Sequence, residues 1–249
     1  MADGSVVVAK RHEHASAVRA EAAGLRWLAA AGAVPVPAVH GHDDEWLVAE
    51  YVEPGSPSAA AAAELGRGLA GLHAAGAPAF GAPPPDGPVD AWIGLAPMRN
   101  ESGADWADWY AAHRLEPYLR TATDRGHELR AVGEVCERVA ALAGPAEPPA
   151  RLHGDLWSGN VAWSTRGAWL IDPAAHGGHR ETDLAMLHLF GCAHLDRVIA
   201  GYEEVAPLAD GWRTRVPLHQ LFPLLVHTVL FGGGYARQAE EAARAALRA

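Results

Sequence analysis

The four residues Pro54-Gly55-Ser56-Pro57 divide this chain into two parts of different character. Two prolines within four residues withhold backbone donors and a glycine favours a turn, so neither a helix nor a strand runs through them. Before the break, SVVVAK (5–10) is β-branched and predicts a strand. The alanine-rich stretch 15–31 places Val18, Leu25 and Leu28 on one helical face and stops at Gly32. VPVP (34–37) imposes an extended link, and strand-like pieces follow around Val39 and over 46–52. After the break the chain turns helical: 59–75 spaces Leu65, Leu69 and Leu72 for a helix, and similar patterns cover 105–122, 128–143 and most of 181–249. The run APPPDGP (82–88) predicts a loop over 76–104 without regular structure, and GPAEPP (144–149) breaks the chain again. Residues 150–172 read as two short strands flanking a loop. The expectation is an α+β fold in one domain of two lobes: 1–53, small and mixed, and 56–249, mainly helical, with a hinge near 50–55.

Composition narrows the chemistry. With 249 residues and 49% apolar content the chain can bury a substantial core. A formal charge of −10 is the wrong sign for a protein that holds nucleic acid by neutralising phosphates. Any phosphate handled here must be met by a few placed groups or by a metal ion. The longest apolar run, 221–231, contains Pro223 and His227 and falls short of the roughly 18–20 residues that cross a bilayer. The start, MADGSVVVAK, has an early Asp3 and only a four-residue apolar run, unlike a secretion leader. A cytoplasmic protein is expected, with Cys136 and Cys192 reduced. Of the 20 basic side chains only Lys10 is a lysine, which suggests that this position needs a compact ammonium rather than a guanidinium fork.

The densest chemistry lies in LHGDLWSGN (152–160) and IDP (171–173). Asp155 is followed by Asn160 five residues on and by Asp172 seventeen residues on, at the end of an expected strand (170–173). Phosphoryl transfer asks chiefly for positioning and charge neutralisation. One aspartate can orient the attacking hydroxyl and take its proton, while an asparagine and a second aspartate hold Mg²⁺ against a triphosphate. Protein kinases space the same groups as H-R-D-x-x-x-x-N, and His153-Gly154-Asp155 with Asn160 keeps that interval. A strand lysine, Lys10, precedes a helix carrying Glu21, the arrangement that lets a lysine reach the α- and β-phosphates.

The strings LHGDLWSGN, IDPAAHGGHRETDLAMLHLFG (171–191) and PLHQLFPLLVHTVLFGGGY (217–235) resemble the fructosamine (ketosamine) kinase family. Weaker matches lie at EYVEPGS (50–56), WIGLAPMRN (92–100) and WADWYAAHRLEPYL (106–119). The resemblance spans nearly the whole chain and implies a bilobal protein-kinase-like fold, shared with aminoglycoside phosphotransferases. It implies ATP and Mg²⁺ as cofactors and a ketosamine, free or on protein lysines, as acceptor at its 3-hydroxyl, with deglycation as the outcome. By the same resemblance Asp155 is the catalytic base, Asn160 and Asp172 are the metal ligands, and Lys10 and Glu21 hold phosphate. The backbone at Glu50, Tyr51 and Val52 meets adenine, and Trp157 and His227 line the sugar-amine site. Within the block His179, Arg180, Glu181 and Asp183, an Arg180–Asp183 pair is expected to brace the catalytic loop.

Members of that family place two strands and a nucleotide-covering turn before the lysine strand, whereas only nine residues precede Lys10 here. Either the true start lies further upstream or the N-lobe lacks two strands; in the second case weak nucleotide affinity and an exposed edge at SVVVAK are expected. Two other readings stay open: an aminoglycoside or small amino-alcohol phosphotransferase, and a nucleotide-binding pseudokinase. Neither a nucleic-acid nor a membrane partner is expected. The pairs His12/His14 and His176/His179 have metal-ligand spacing but no evident third ligand, so surface histidines are expected. The glycines at 232–234 read as a helix end.

Overall fold

The computed structural model describes residues 6–249. The expected strand start at Ser5 and the non-leader reading of residues 1–4 lie outside them. Strand β1 (Val7–Arg11) carries Lys10, helix α1 (Ala15–Ala29) follows, and β2 (Val39–His42) and β3 (Trp46–Glu50) complete an antiparallel sheet of order β1-β3-β2. Lys10 stands opposite Leu47. On the inner side of the sheet, α1 buries Val18, Ala22 and Leu25 against Leu47. The other α1 face, with Trp27 and Leu28, enters a second core with α2 (Ala59–Ala74). Glu50, Tyr51 and Val52 lie at the end of this sheet, where Gly55 N donates to Trp163 O at 2.7 Å.

Residues 76–104 are not wholly irregular, contrary to expectation. Strands β4 (Asp90–Ile93) and β5 (Ala96–Arg99) form an antiparallel hairpin. Gly94, with φ of +54°, and Leu95 make a two-residue turn that costs glycine no steric penalty. Pro97 is tolerated because the pair has only two strands, so its missing donor faces no neighbour.

The helix expected over 105–122 is observed as α3 (Trp106–Tyr110), a π-helical turn (Ala111–Leu115) and α4 (Glu116–Asp124). Pro117 cannot donate to the carbonyl of His113, which instead accepts from Arg114 Nη1 at 3.2 Å. Helix α5 (Arg130–Leu142) packs on this segment.

The expected two strands of 150–172 resolve into β6 (Ala150–Leu152), β7 (Val161–Ser164) and β8 (Gly167–Leu170), with β9 (His176–Gly178) added beyond them. β6 pairs with β9, and β7 with β8. Because Leu152 lies opposite His176, the loop leaving β6 and the segment entering β9 emerge at the same end of one ladder. That topology brings residues 153–160 and 171–175 together.

Helices α6 (Glu181–Leu189), α7 (Leu195–Val205), α8 (Trp212–Phe231) and α9 (Gly234–Ala246) complete the chain. Inside α8, Pro223 leaves the carbonyl of His219 without its helical donor, and the Tyr110 hydroxyl points at the carbonyls of Leu218 (3.0 Å) and His219 (3.4 Å) instead. Gly232, at φ +66°, ends α8 as its glycine run suggested. Among the described residues no helix is long and apolar enough to cross a membrane.

Candidate active site

The loop between β6 and β7 is shaped by groups that carry no chemistry themselves. Gly154 has φ +81°, and a Cβ there would come within 2.1 Å of the Ala174 carbonyl, so only glycine fits. His153 is fully buried; its Nε2 lies 2.9 Å from Ile171 O, and its Nδ1 faces the Asp155 amide at 3.3 Å. Burial pushes its pKa down, so the ring stays neutral and serves as a spacer between the two segments. Asp183, at the start of α6, accepts from His153 N (2.8 Å) and Gly154 N (3.0 Å), and His73 Nε2 lies 3.2 Å away. Burial opposes its charge, but His73, His153 and the Gly154 amide hold its pKa below the usual range.

The bracing pair expected from sequence is therefore different. Arg180 does not meet Asp183: it forms a fork with Glu147, at 2.6 and 2.7 Å, and Asp183 bonds the loop backbone directly. Arg180 stands outside the first helical turn and faces the Pro-rich segment, whereas Asp183 points inward to the loop amides. His176 and His179, expected at the surface, are buried at 2% and 3% exposure. Burial pushes both down to about 3. His12 lies 2.9 Å from Glu21, and His14 stacks on Trp92 with ring centroids 4.3 Å apart. His179, Glu181 and His219 form a buried cluster of possible metal-ligand type. Arg215, however, forks onto both Glu181 oxygens at 2.5 and 2.9 Å, which makes this an internal ion network.

Asp155, Asn160 and Asp172 meet beside Lys10. Asn160 Nδ2 donates to Asp155 O (2.8 Å) and Asp155 Oδ2 (3.1 Å) and lies 3.4 Å from Asp172 O. That orientation leaves the Asn160 carbonyl oxygen turned away from Asp155, available as a ligand. Burial pushes the Asp155 carboxyl up to about 6 against the Asn160 bond, with Asp172 adding to the rise. Asp172 has φ +52°, an uncommon conformation for a residue with a side chain and one that clusters at functional sites. Lys10 Nζ lies 2.9 Å from Glu21 and 3.2 Å from Asp172. Burial works against the lysine charge, but those two carboxylates raise its pKa above the ordinary value.

Two hollows adjoin this centre. One, of about 310 Å³, is lined by the polar groups Lys10, Glu21, Asp155, Asn160 and Asp172 and by the large side chains Trp92, Leu95, Trp157, His227 and Phe231. Trp157 is 41% exposed, so it faces this hollow and is not a core residue. His227 joins an aromatic group with Phe190, Phe231 and Tyr235, and its Nδ1 is 2.7 Å from Pro223 O. The second hollow, of about 170 Å³, is apolar and runs along Val8, Leu25, Leu47 and Ala49 to Glu50, Tyr51, Val52 and Ile171. Lys10 and Asp172 border both. Sequence reasoning missed His73, Phe231 at the end of α8, and the hairpin residues Trp92 and Leu95; the Gly94-Leu95 turn between two apolar pairs was the local signal for that hairpin.

The fructosamine kinase family profile matches residues 4–249. A "Probable ketoamine kinase" of Synechocystis is 39% identical over 237 residues, covering 92% of this chain and 78% of its own. Another of the same name from Thermus thermophilus is 37% identical over 217 residues, covering 87% and 78%. The crystal structure of a fructosamine-3-kinase candidate from Thermobifida fusca is 50% identical and superposes with a TM-score of 0.94 over 100% of this chain and 88% of that one. A thermostable mutant of an aminoglycoside phosphotransferase, APH(4)-Ia, shares the fold alone: 17% identity, TM-score 0.64, 98% of this chain and 87% of that one. The small sheet with its helix and the mainly helical remainder are thus a kinase fold, and the chain belongs to the fructosamine kinase family.

Proposed function

We propose that this chain transfers the γ-phosphoryl group of ATP to the 3-hydroxyl of a ketosamine, a sugar-amine adduct on an amino acid or a protein lysine. The phosphorylated adduct then falls apart: the 3-phosphate leaves by elimination and water releases the amine from the remaining carbon skeleton. The observation that carries this reading is the meeting of Asp155, Asn160, Asp172 and Lys10 at the border of one apolar and one aromatic-lined hollow. The apolar hollow suits an adenine ring, with the backbone at Glu50, Tyr51 and Val52 at its edge. The aromatic hollow suits a sugar carrying a cationic amine, because indole faces pack on apolar sugar faces and on cations.

Each residue has a distinct part. Asp155 accepts the proton of the attacking hydroxyl, a task suited to a carboxyl lifted toward neutrality yet ionised at pH 7. Asn160 fixes that carboxylate through Nδ2 and keeps its carbonyl oxygen for a cation. Asn160 and Asp172 offer hard oxygen donors of the kind that Mg²⁺ takes. Mg²⁺ held there supplies charge neutralisation at the phosphates. Lys10, kept in place by Glu21, directs its ammonium at the same region. Trp157 and His227 flank the acceptor.

The test is to incubate the protein with ATP and Mg²⁺ and with ribuloselysine, fructoselysine or kanamycin, and to measure ADP release. Turnover with a ketosamine is expected. Turnover with kanamycin alone overturns the acceptor assignment; no turnover with a retained nucleotide-induced thermal shift points to a nucleotide-binding pseudokinase, and no turnover with no shift to a non-catalytic interaction protein.

A further inference from the structure

Arg114 is 1% exposed, and no carboxylate forms an ion pair with it among the described residues. A buried guanidinium without a carboxylate is costly, and an apolar side chain of similar volume is often as stable or better. Burial lowers its pKa to about 10, so it keeps its charge at neutral pH. Packing of the stem therefore does not explain why an arginine stands here.

Its hydrogen bonds do. Nη1 donates to Arg99 O at 2.9 Å and Nη2 to Asn100 Oδ1 at 2.7 Å. Both acceptors lie where β5 ends. Asn100 N in turn donates to Val89 O at 2.7 Å, tying off the open end of the β4–β5 hairpin. The guanidinium lies over the Trp109 ring at 4.5 Å and the Phe222 ring at 5.4 Å, which fixes its plane. Arg114 stands in the π turn (Ala111–Leu115) that precedes Pro117. At the far end of the same hairpin, Trp92 and Leu95 line the acceptor hollow together with His227 and Phe231. Leu95 at the turn is 76% exposed, while Trp92 is also held by Ser16 Oγ of α1 at 2.9 Å and by stacking on His14, so the clamp at the base is one of two supports of this lining.

We infer that Arg114 is a positioning residue for the acceptor: it clamps residues 99 and 100, and so helps hold Trp92 and Leu95 in the lining of the hollow. The inference rests on the proposed assignment of that hollow to the acceptor. A fork with two separate donors can serve Arg99 O and Asn100 Oδ1 together; a lysine ammonium serves one well, and a methionine neither.

The test compares wild type with Arg114→Met, Arg114→Lys and Asn100→Ala, by hydrogen exchange and by kinetics with each substrate varied. Arg114→Met is expected to speed exchange of the amides in 90–99 while leaving 152–172 unchanged. It should raise the acceptor KM about tenfold and change the nucleotide KM by less than about twofold, with partial rescue in Arg114→Lys. A uniform rise in exchange along the chain, or a nucleotide KM that moves as far as the acceptor KM, overturns the inference. If the Arg114 variants do not fold, Asn100→Ala carries the same comparison, since it cuts one arm of the clamp and leaves the guanidinium in place. Lack of turnover by the wild type with every ketosamine overturns the functional reading, and hairpin exchange then decides the clamp independently.

Discussion

Lys10 Nζ lies 3.2 Å from Asp172 Oδ1, a contact between the second-last residue of the first strand and the segment that follows β8. Glu21 holds the same ammonium from the other side at 2.9 Å. The one lysine of the chain thus stands between two carboxylates, one from α1 and one from the segment after β8. Lys10→Met should raise the nucleotide KM about tenfold or more, and Lys10→Arg should not restore it, because a guanidinium fork is too large for a site shaped around a point charge. Titration of nucleotide-induced thermal shifts checks this; an unchanged shift in Lys10→Met would remove Lys10 from the nucleotide site.

Asp155→Asn keeps shape and removes the base. Turnover should fall by about 10²–10⁴-fold, the usual worth of a placed acid or base. Stability should not fall, since a carboxylate whose burial raises its pKa is replaced by a neutral amide. Thermal unfolding beside steady-state rates separates the two effects, and a wild-type rate would disprove the base assignment. Asp172→Ala should act differently, weakening nucleotide affinity and Mg²⁺ dependence together.

Glu181 supplies a pH dependence of stability. Burial opposes its charge, but His219 and Arg215 prevail and hold its carboxyl down from 4.5 to about 2. A carboxyl depressed on folding stabilises the native state fully above its unfolded pKa and loses that contribution as pH falls through the folded value. Stability should therefore drop between about pH 4.5 and pH 2. Arg215→Met strands a buried carboxylate, so it should cost about 3–5 kcal/mol at pH 7 and less at low pH, where Glu181 is protonated. Denaturant melts at several pH values measure both.

Trp157 presents its ring to the acceptor hollow while Phe190 meets it edge-on at a centroid separation of 6.1 Å. Trp157→Ala should raise the ketosamine KM about 2- to 30-fold, the range of a cation–π contact, with the nucleotide KM unchanged. Equal effects on both substrates would place the tryptophan in a structural role.

The elements with a strong local signal were legible in the residues. The β-branched run before Lys10, the leucine spacing of α2 and the glycine stop of α8 each depend on neighbours within a few positions. The hairpin at 90–99 was hidden by the prolines before it, and the π turn by a helical pattern that Pro117 interrupts only in its hydrogen bonds. The histidines show the same limit. His176 and His179 have polar rings in a glycine-rich stretch, yet strand pairing and the fold of α8 over them remove them from water.

Sequence alone determined which groups are available for chemistry: two aspartates and an asparagine at fixed spacing, and one lysine on a strand. Those properties are carried by residue type and short separation along the backbone. Tertiary structure decided their partners. Asp183 holds the loop amides and Arg180 holds Glu147, because helix α6 turns one side chain inward and leaves the other at its outer end. Arg114 bonds the base of a hairpin fourteen residues away for the same reason. Such choices depend on which surfaces pack together, and hydrogen bonds in a dry interior go to whatever acceptor that packing brings within reach.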